Sequence, residues 1–324
     1  MAEAILGIDI AKAKFDVCLL KDERFQHRQF PNDPPGFAQL DHWLATQGVD
    51  TLHACLEATS TYGQALAAHL HSAGHQVSVV NPLQIKAFAN STLRRTKTDR
   101  VDAKTIARFC QALRPMLWHP TPPETAQLQA LVRRLEALQA MQAQERNRLG
   151  VPGLPASVRS SIAAMLEALE AQMGAIRQQI KEHIDRHPDL KAQKDLLTSI
   201  PGIGQSTAQV LLAEVGDFGA YSSARALAAQ AGLVPSQHQS GSSVRGKAFL
   251  SKRGNARLRR ALYWPAVVAL RYNPSLAAFA QRKRAEGKDN LVIIAAAMRR
   301  LLHLAFAVLR HRRPFDPNYL PLRA

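Results

Sequence analysis

The strongest constraint on the fold is the order of short β-forming segments at the start of the chain. Residues 4–10, 15–20 and 24–30 are rich in apolar or β-forming side chains with turn chemistry between them, as in three sequential antiparallel strands. A helix is expected to follow Pro35 and run to about Gln47, then a strand over 51–56, a helix over 62–72 and a strand over 76–80 that Asn81-Pro82 closes.

Three hairpin strands followed by alternating helix and strand is the order of an RNase H-like domain, in whose sheet the first and fourth strands are neighbours. Beyond a Pro-rich joint at 115–123, two long helical stretches are expected over 124–148 and 157–185, broken at V-P-G-L-P. Leu128, Leu131, Leu135 and Leu138, then Ile162, Leu166, Leu169, Met173, Ile176 and Ile180, recur at three- and four-residue steps. Such an apolar stripe with polar flanks is the signature of a helical hairpin or a coiled-coil partner helix. The remainder, 190–324, reads as helical and basic, with an apolar helix over 291–309.

Charge narrows the function. The chain carries 42 Lys plus Arg against 25 Asp plus Glu, and residues 223–324 alone hold nineteen basic and three acidic residues. Uncompensated repulsion of that size destabilises a compact state unless a polyanion offsets it, so nucleic acid is the expected partner. A membrane surface would need a basic amphipathic helix, and the basic residues here are spread over several segments. No apolar run approaches the ~18 residues of a membrane span, and Glu3, Asp9 and Asp16 stand where a signal peptide would be basic and then apolar. The chain is expected in the cytoplasm. Cys18, Cys55 and Cys110 form no C-x-x-C pair and read as core thiols.

Two carboxylates stand where the expected strands end: Asp9 in G-I-D-I-A-K and Glu57 in C-L-E-A-T. On neighbouring strands both would emerge at one edge. Asp99 and Asp102, in T-D-R-V-D-A, fall on one face of a helix about a turn apart. Four clustered carboxylates need counter-charge, which two divalent cations with a preference for hard oxygen ligands supply. Mg²⁺ is the natural occupant, with Mn²⁺ as a substitute, and a phosphodiester the natural target. Taken singly, each residue has a plainer reading as a turn former, a surface carboxylate or a helix cap. Asp16 alternates with Phe15 and Val17 and is expected to point outward.

Further on, I-P-G-I-G before a small-residue helix has the form of a helix-hairpin-helix, in which Gly202 and Gly204 would let the backbone approach a phosphate. The plain alternative is a turn between helices. Q-S-G-S-S-V-R-G-K and S-K-R-G-N follow, so Arg245, Lys247, Lys252, Arg253, Arg257, Arg259 and Arg260 are candidate phosphate-backbone contacts. A serine in that loop could instead attack phosphorus, with Arg245 stabilising the transition state.

In this order, G-I-D-I-A-K, E-A-T, T-D-R-V-D-A, I-P-G-I-G, A-G-L-V-P and S-G-S-S-V-R-G closely resemble the IS110 group of insertion-sequence transposases, the DEDD transposases, from Gly7 to about Phe315. The resemblance implies an N-terminal RuvC-like catalytic domain (1–118), a helical coiled-coil region (119–189) and a mainly helical transposase domain (190–324). It implies that Asp9, Glu57, Asp99 and Asp102 are the acidic residues and Ser240 the nucleophile. It also implies a noncoding bridge RNA that pairs with target and donor double-stranded DNA, and a tetramer built from dimers in which one protomer's acidic site joins another's serine. Ser60 departs from the Gly that the family commonly has after E-A-T. The expected activity is RNA-guided DNA recombination through a phosphoserine link. The rivals are a structure-selective endonuclease with water as nucleophile and a non-enzymatic nucleic-acid binder with structural carboxylates.

Overall fold

The computed structural model describes residues 4–58, 61–91, 99–236, 239–240, 244–245, 249–251 and 253–317, without the side chains at 61, 99, 100, 239, 240, 244, 245 and 249. The chain divides into two compact units, Met1–Pro120 and Thr121–Ala324.

In the first unit β1 (Ala4–Ile10), β2 (Lys14–Lys21) and β3 (Arg24–Pro31) form an antiparallel meander. The β2–β3 turn sits on Asp22 and Glu23, both at positive φ, the backbone pair that matches strand twist in a two-residue hairpin. Next comes α1 (Pro34–Thr46), which starts where Asp33 accepts the Gly36 N–H at 2.9 Å and two prolines occupy the first turn. Then β4 (Leu52–Glu57), α2 (Gln64–Ser72) and β5 (Gln76–Val80) complete the sheet in the order β3-β2-β1-β4-β5, with β4 parallel to both β1 and β5. This is the expected mixed α/β domain.

Both faces of the sheet are covered. Phe37, Leu40 and Trp43 of α1 and Leu66 and Leu70 of α2 pack on Leu6, Ile8, Phe15, Val17 and Leu19. After α3 (Pro82–Ser91), α4 (Asp99–Leu113) covers the other face, with Ala103, Ile106, Ala107 and Cys110 against Ile5, Cys18, Leu20 and Cys55. The three cysteines are buried free thiols, and a hydrogen bond to Cys110 together with burial pushes the Cys55 thiol far up.

The second unit is mostly helical. Its α5 (Pro123–Leu149) and α6 (Ala156–Arg186) pair along the apolar stripe, burying Leu128, Leu138, Leu169, Met173 and Ile180. There follow α7 (Pro188–Thr198), α8 (Gln205–Val215), α9 (Ala224–Gln230), α10 (Ala256–Tyr272), α11 (Pro274–Ala285) and α12 (Asn290–His311). Between α9 and α10 lie two nested antiparallel pairs, β6 (Pro235–Ser236) with β9 (Phe249–Leu250) and β7 (Gln239–Ser240) with β8 (Val244–Arg245). By length and composition α12 could cross a membrane. Arg299 and Arg300 interrupt it, and Ala297, Leu301, Leu302 and Ala305 are buried in the helical core, the setting of a core helix.

Candidate functional site

Strand register builds the acidic site. Ile8 of β1 lies beside Leu56 of the parallel β4, so the next rung brings Asp9 beside Glu57 at the carboxyl ends of both strands. Residues level with one another on paired strands point to the same face. That face carries Ile5 and Cys55, so it is the face that α4 covers.

How α4 reaches it depends on Gly7. A Cβ at Gly7 would lie 2.2 Å from the Ala103 carbonyl oxygen and 2.3 Å from the Ala107 nitrogen, so helix and strand backbones are in direct contact. Asp102 precedes Ala103, and Asp99 stands one turn earlier at the start of α4. The half-buried Asp9 and Glu57 and the half-buried Asp102 therefore belong to one side of the sheet. Among the described residues no three His, Cys, Asp or Glu side chains form a group able to hold a metal ion, and the Asp99 side chain lies outside them.

One expectation is corrected. Asp16 does alternate with Phe15 and Val17, but it pairs directly with Asp9 across β1 and β2 and so faces the α4 side rather than open solvent. The premise failed because the sheet is covered twice, and alternation alone does not say what covers the second face. The Asp16 carboxylate accepts Gln29 Nε2 at 3.0 Å on both oxygens and has Lys14 Nζ at 3.6 Å.

In the second unit Ser240 and Arg245 stand on paired strands, Ser240 opposite Val244 and Gln239 opposite Arg245, with side chains outside the described ones. Lys247, Lys252 and Ser60 also lie outside the described residues. The turn between α7 and α8 holds Gly202 at a φ of 106°, where a Cβ would meet Ala269 of α10 at 2.6 Å, so its visible contact is helix packing. Gly204 is exposed at the start of α8. Arg253 is exposed. Arg257 and Arg260 share the carboxylate of Glu136 on α5, at 2.8 and 2.5 Å. Arg259 turns inward and donates to the Ala231 and Gly254 carbonyls at 3.0 and 3.1 Å.

Sequence reasoning missed Glu214 on α8. Its side chain is 1% exposed, and Arg133 of α5 donates to both oxygens while Asn255, the N-cap of α10, donates to one at 2.8 Å. Burial pushes this carboxyl up, and the Arg133 and Asn255 bonds outweigh burial to hold it below its ordinary value. No local signal betrays it, because its partners lie 81 and 41 residues away.

Known proteins similar to this chain agree with one another. Residues 6–150 match the DEDD transposase family of IS110 elements, and residues 194–281 match the transposase family of IS116, IS110 and IS902. The pilin gene-inverting protein of Moraxella bovis is 38% identical over 320 residues, covering 98% of both chains. The chain belongs to the IS110 family of transposases. This IS110 transposase is thus a DNA-processing enzyme. It is also 30% identical over 293 residues to the transposase of insertion sequence IS1328 from Yersinia enterocolitica, covering 80% of this chain and 81% of that one. Among solved structures, T. thermophilus RuvC in complex with a Holliday junction substrate aligns with 34% of this chain and 94% of that chain, at 13% identity and a TM-score of 0.27.

Proposed function

We propose that this IS110 transposase is a site-specific DNA recombinase, guided by a noncoding bridge RNA, that exchanges strands through a phosphoserine link. The observation that carries the reading is the Asp9–Glu57 rung beneath the helix that bears Asp99 and Asp102. An all-carboxylate donor set on one sheet face fits hard divalent cations, so these four residues would hold Mg²⁺, two ions with Mn²⁺ able to replace them. When bound, such ions polarise the scissile phosphate and neutralise its charge.

The chain's own groups do the rest. The Ser240 Oγ loses its proton and attacks phosphorus; one P–O bond to the DNA strand breaks, a P–O bond to serine forms, and the released strand end takes up a proton as a hydroxyl. Bond energy is kept in the ester, so rejoining needs no ATP. Arg245, Lys247, Lys252, Arg253, Arg257 and Arg260 grip the phosphate backbones of target and donor double-stranded DNA. The α7-turn-α8 segment serves as a helix-hairpin-helix with Gly204 at its anion-binding start. Three functional parts, 1–118, 119–189 and 190–324, belong to this reading, with α5 and α6 as a coiled-coil linker in a tetramer built from dimers. It is supported by the likeness to a pilin gene-inverting protein and by the nineteen basic residues of the last 102 positions.

The test is recovery of a protein–DNA adduct under denaturing conditions. Wild type is expected to give the adduct and Ser240→Ala to abolish it. Free cleaved ends without an adduct, surviving in Ser240→Ala, would instead favour water as nucleophile. Sequencing RNA that copurifies with the chain tests the guide: a stem with two loops complementary to donor and target is expected.

A further inference from the structure

Several large apolar side chains of the second unit are exposed, and three of them line one helix face. Trp264 is 70% exposed, Tyr272 62% and Val268 44%, all on α10 at four-residue spacing. Arg260 and Arg257 continue the same stripe one and two turns earlier, and Arg271 closes it. The aromatic rings are held rather than loose. Tyr263, packed on the helical core, meets the Trp264 ring edge-on at 5.3 Å, and the Arg271 guanidinium lies 5.3 Å from the centre of the Tyr272 ring. The two exposed rings stand eight positions apart, about 12 Å along the helix.

The chemistry of this face selects its occupant. A sequence of seventeen residues without a single Asp or Glu makes α10 wholly cationic wherever it is charged. A second copy docked through this face about a two-fold axis would set arginine against arginine. Duplex DNA satisfies the arginines but hides its base faces inside its stack. An unpaired strand offers both a phosphate backbone and free base faces, and aromatic rings interleaved with arginine are what stack and clamp it.

We propose that the exposed face of α10 is a stacking platform for an unpaired stretch of RNA, with Trp264 and Tyr272 each taking a base and Arg271 a phosphate between them. It rests on the reading that the enzyme works with a noncoding RNA, and assigns the unpaired RNA a place on the protein.

The experiment is a fluorescence titration of the full chain with a single-stranded RNA of about 12 nucleotides, within the usual site size, and with duplex DNA. Single-stranded RNA is expected to quench an emission component that the Trp264→Phe variant lacks. Trp264→Ala and Tyr272→Ala are each expected to weaken that RNA roughly 5- to 100-fold, the worth of one stacked base, while Trp264→Phe keeps most of the affinity and duplex binding stays nearly constant. Trp264 is too exposed for its loss to unfold the unit, and circular dichroism of each variant verifies this. Unchanged Trp264 emission at saturating RNA, or wild-type RNA affinity in Trp264→Ala, would overturn the platform. So would equal weakening of duplex binding, or a smaller oligomer at unchanged RNA affinity, which would make the face a self-contact. Recombination that proceeds after ribonuclease treatment would remove the guide RNA from the reaction without altering the titration, so the two readings fail separately.

Discussion

At the scale of single residues, Gly7 decides whether the acidic site can assemble. Its missing Cβ lets the α4 backbone rest on β1, and a methyl group there would press on the Ala103 carbonyl and the Ala107 backbone at 2.2 and 2.3 Å. Neither contact is the end of a flexible side chain, so the helix itself must move. Gly7→Ala is expected to cost about 3 kcal/mol or more by overpacking, read as a lower urea midpoint, and to abolish the protein–DNA adduct because Asp99 and Asp102 ride on the displaced helix. Asp9→Asn, by contrast, is expected to abolish the adduct while leaving the stability read from urea unfolding within about 1 kcal/mol of wild type. The Asp9–Glu57 rung was legible in the sequence because both follow apolar β runs whose order implied neighbouring strands. The facing of Asp16 was not, because period-two alternation reports which residues share a face and says nothing of a helix arriving from 83 residues further along, as Asp99 does.

Among elements, the junction of α5, α8 and α10 is held by a buried charge. The Arg133 and Asn255 bonds to Glu214 hold the start of α10 against the other two helices, and α10 follows directly from the S-K-R-G-N loop. Removing the carboxylate charge leaves Arg133 without its bidentate partner, so Glu214→Gln is expected to cost about 2–3 kcal/mol. The pH dependence has a definite sign. A carboxyl held below its ordinary 4.5 in the folded chain contributes stability that is complete above about that pH and is lost as pH falls through the lower folded value. Urea midpoints of wild type and Glu214→Gln are therefore expected to differ most at neutral pH and to converge in acid; a constant gap would show that packing rather than charge is at stake. The long helices were readable within two residues at each end because a stripe of Leu and Ile over several turns averages out local ambiguity. The β6–β9 and β7–β8 pairs were not, since two-residue strands carry no period at all.

Across the whole molecule, charge is sorted rather than mixed. The last 102 residues hold only three of the 25 acidic side chains. Within that stretch burial together with Arg299, Arg225 and Arg300 holds His303 below its ordinary value, a local measure of the positive field. Relief comes in part from outside it: Glu136 of α5 binds both Arg257 and Arg260. Those arginine side chains are 44% and 68% exposed, and ion pairs that wet contribute at most about 1 kcal/mol, so a phosphate can take Glu136's place at little cost. Glu136 thus acts as a weak competitor for the anion these arginines bind. Glu136→Gln is expected to leave the urea midpoint almost unchanged and to tighten nucleic-acid binding roughly 2- to 5-fold in low salt, with the logarithmic salt dependence steeper by about one unit, as for one additional phosphate contact. Above the salt concentration at which such contacts are screened, wild type and variant are expected to bind alike. Weaker binding by Glu136→Gln at every salt concentration would mean that the carboxylate orients the arginines for phosphate instead of occupying them.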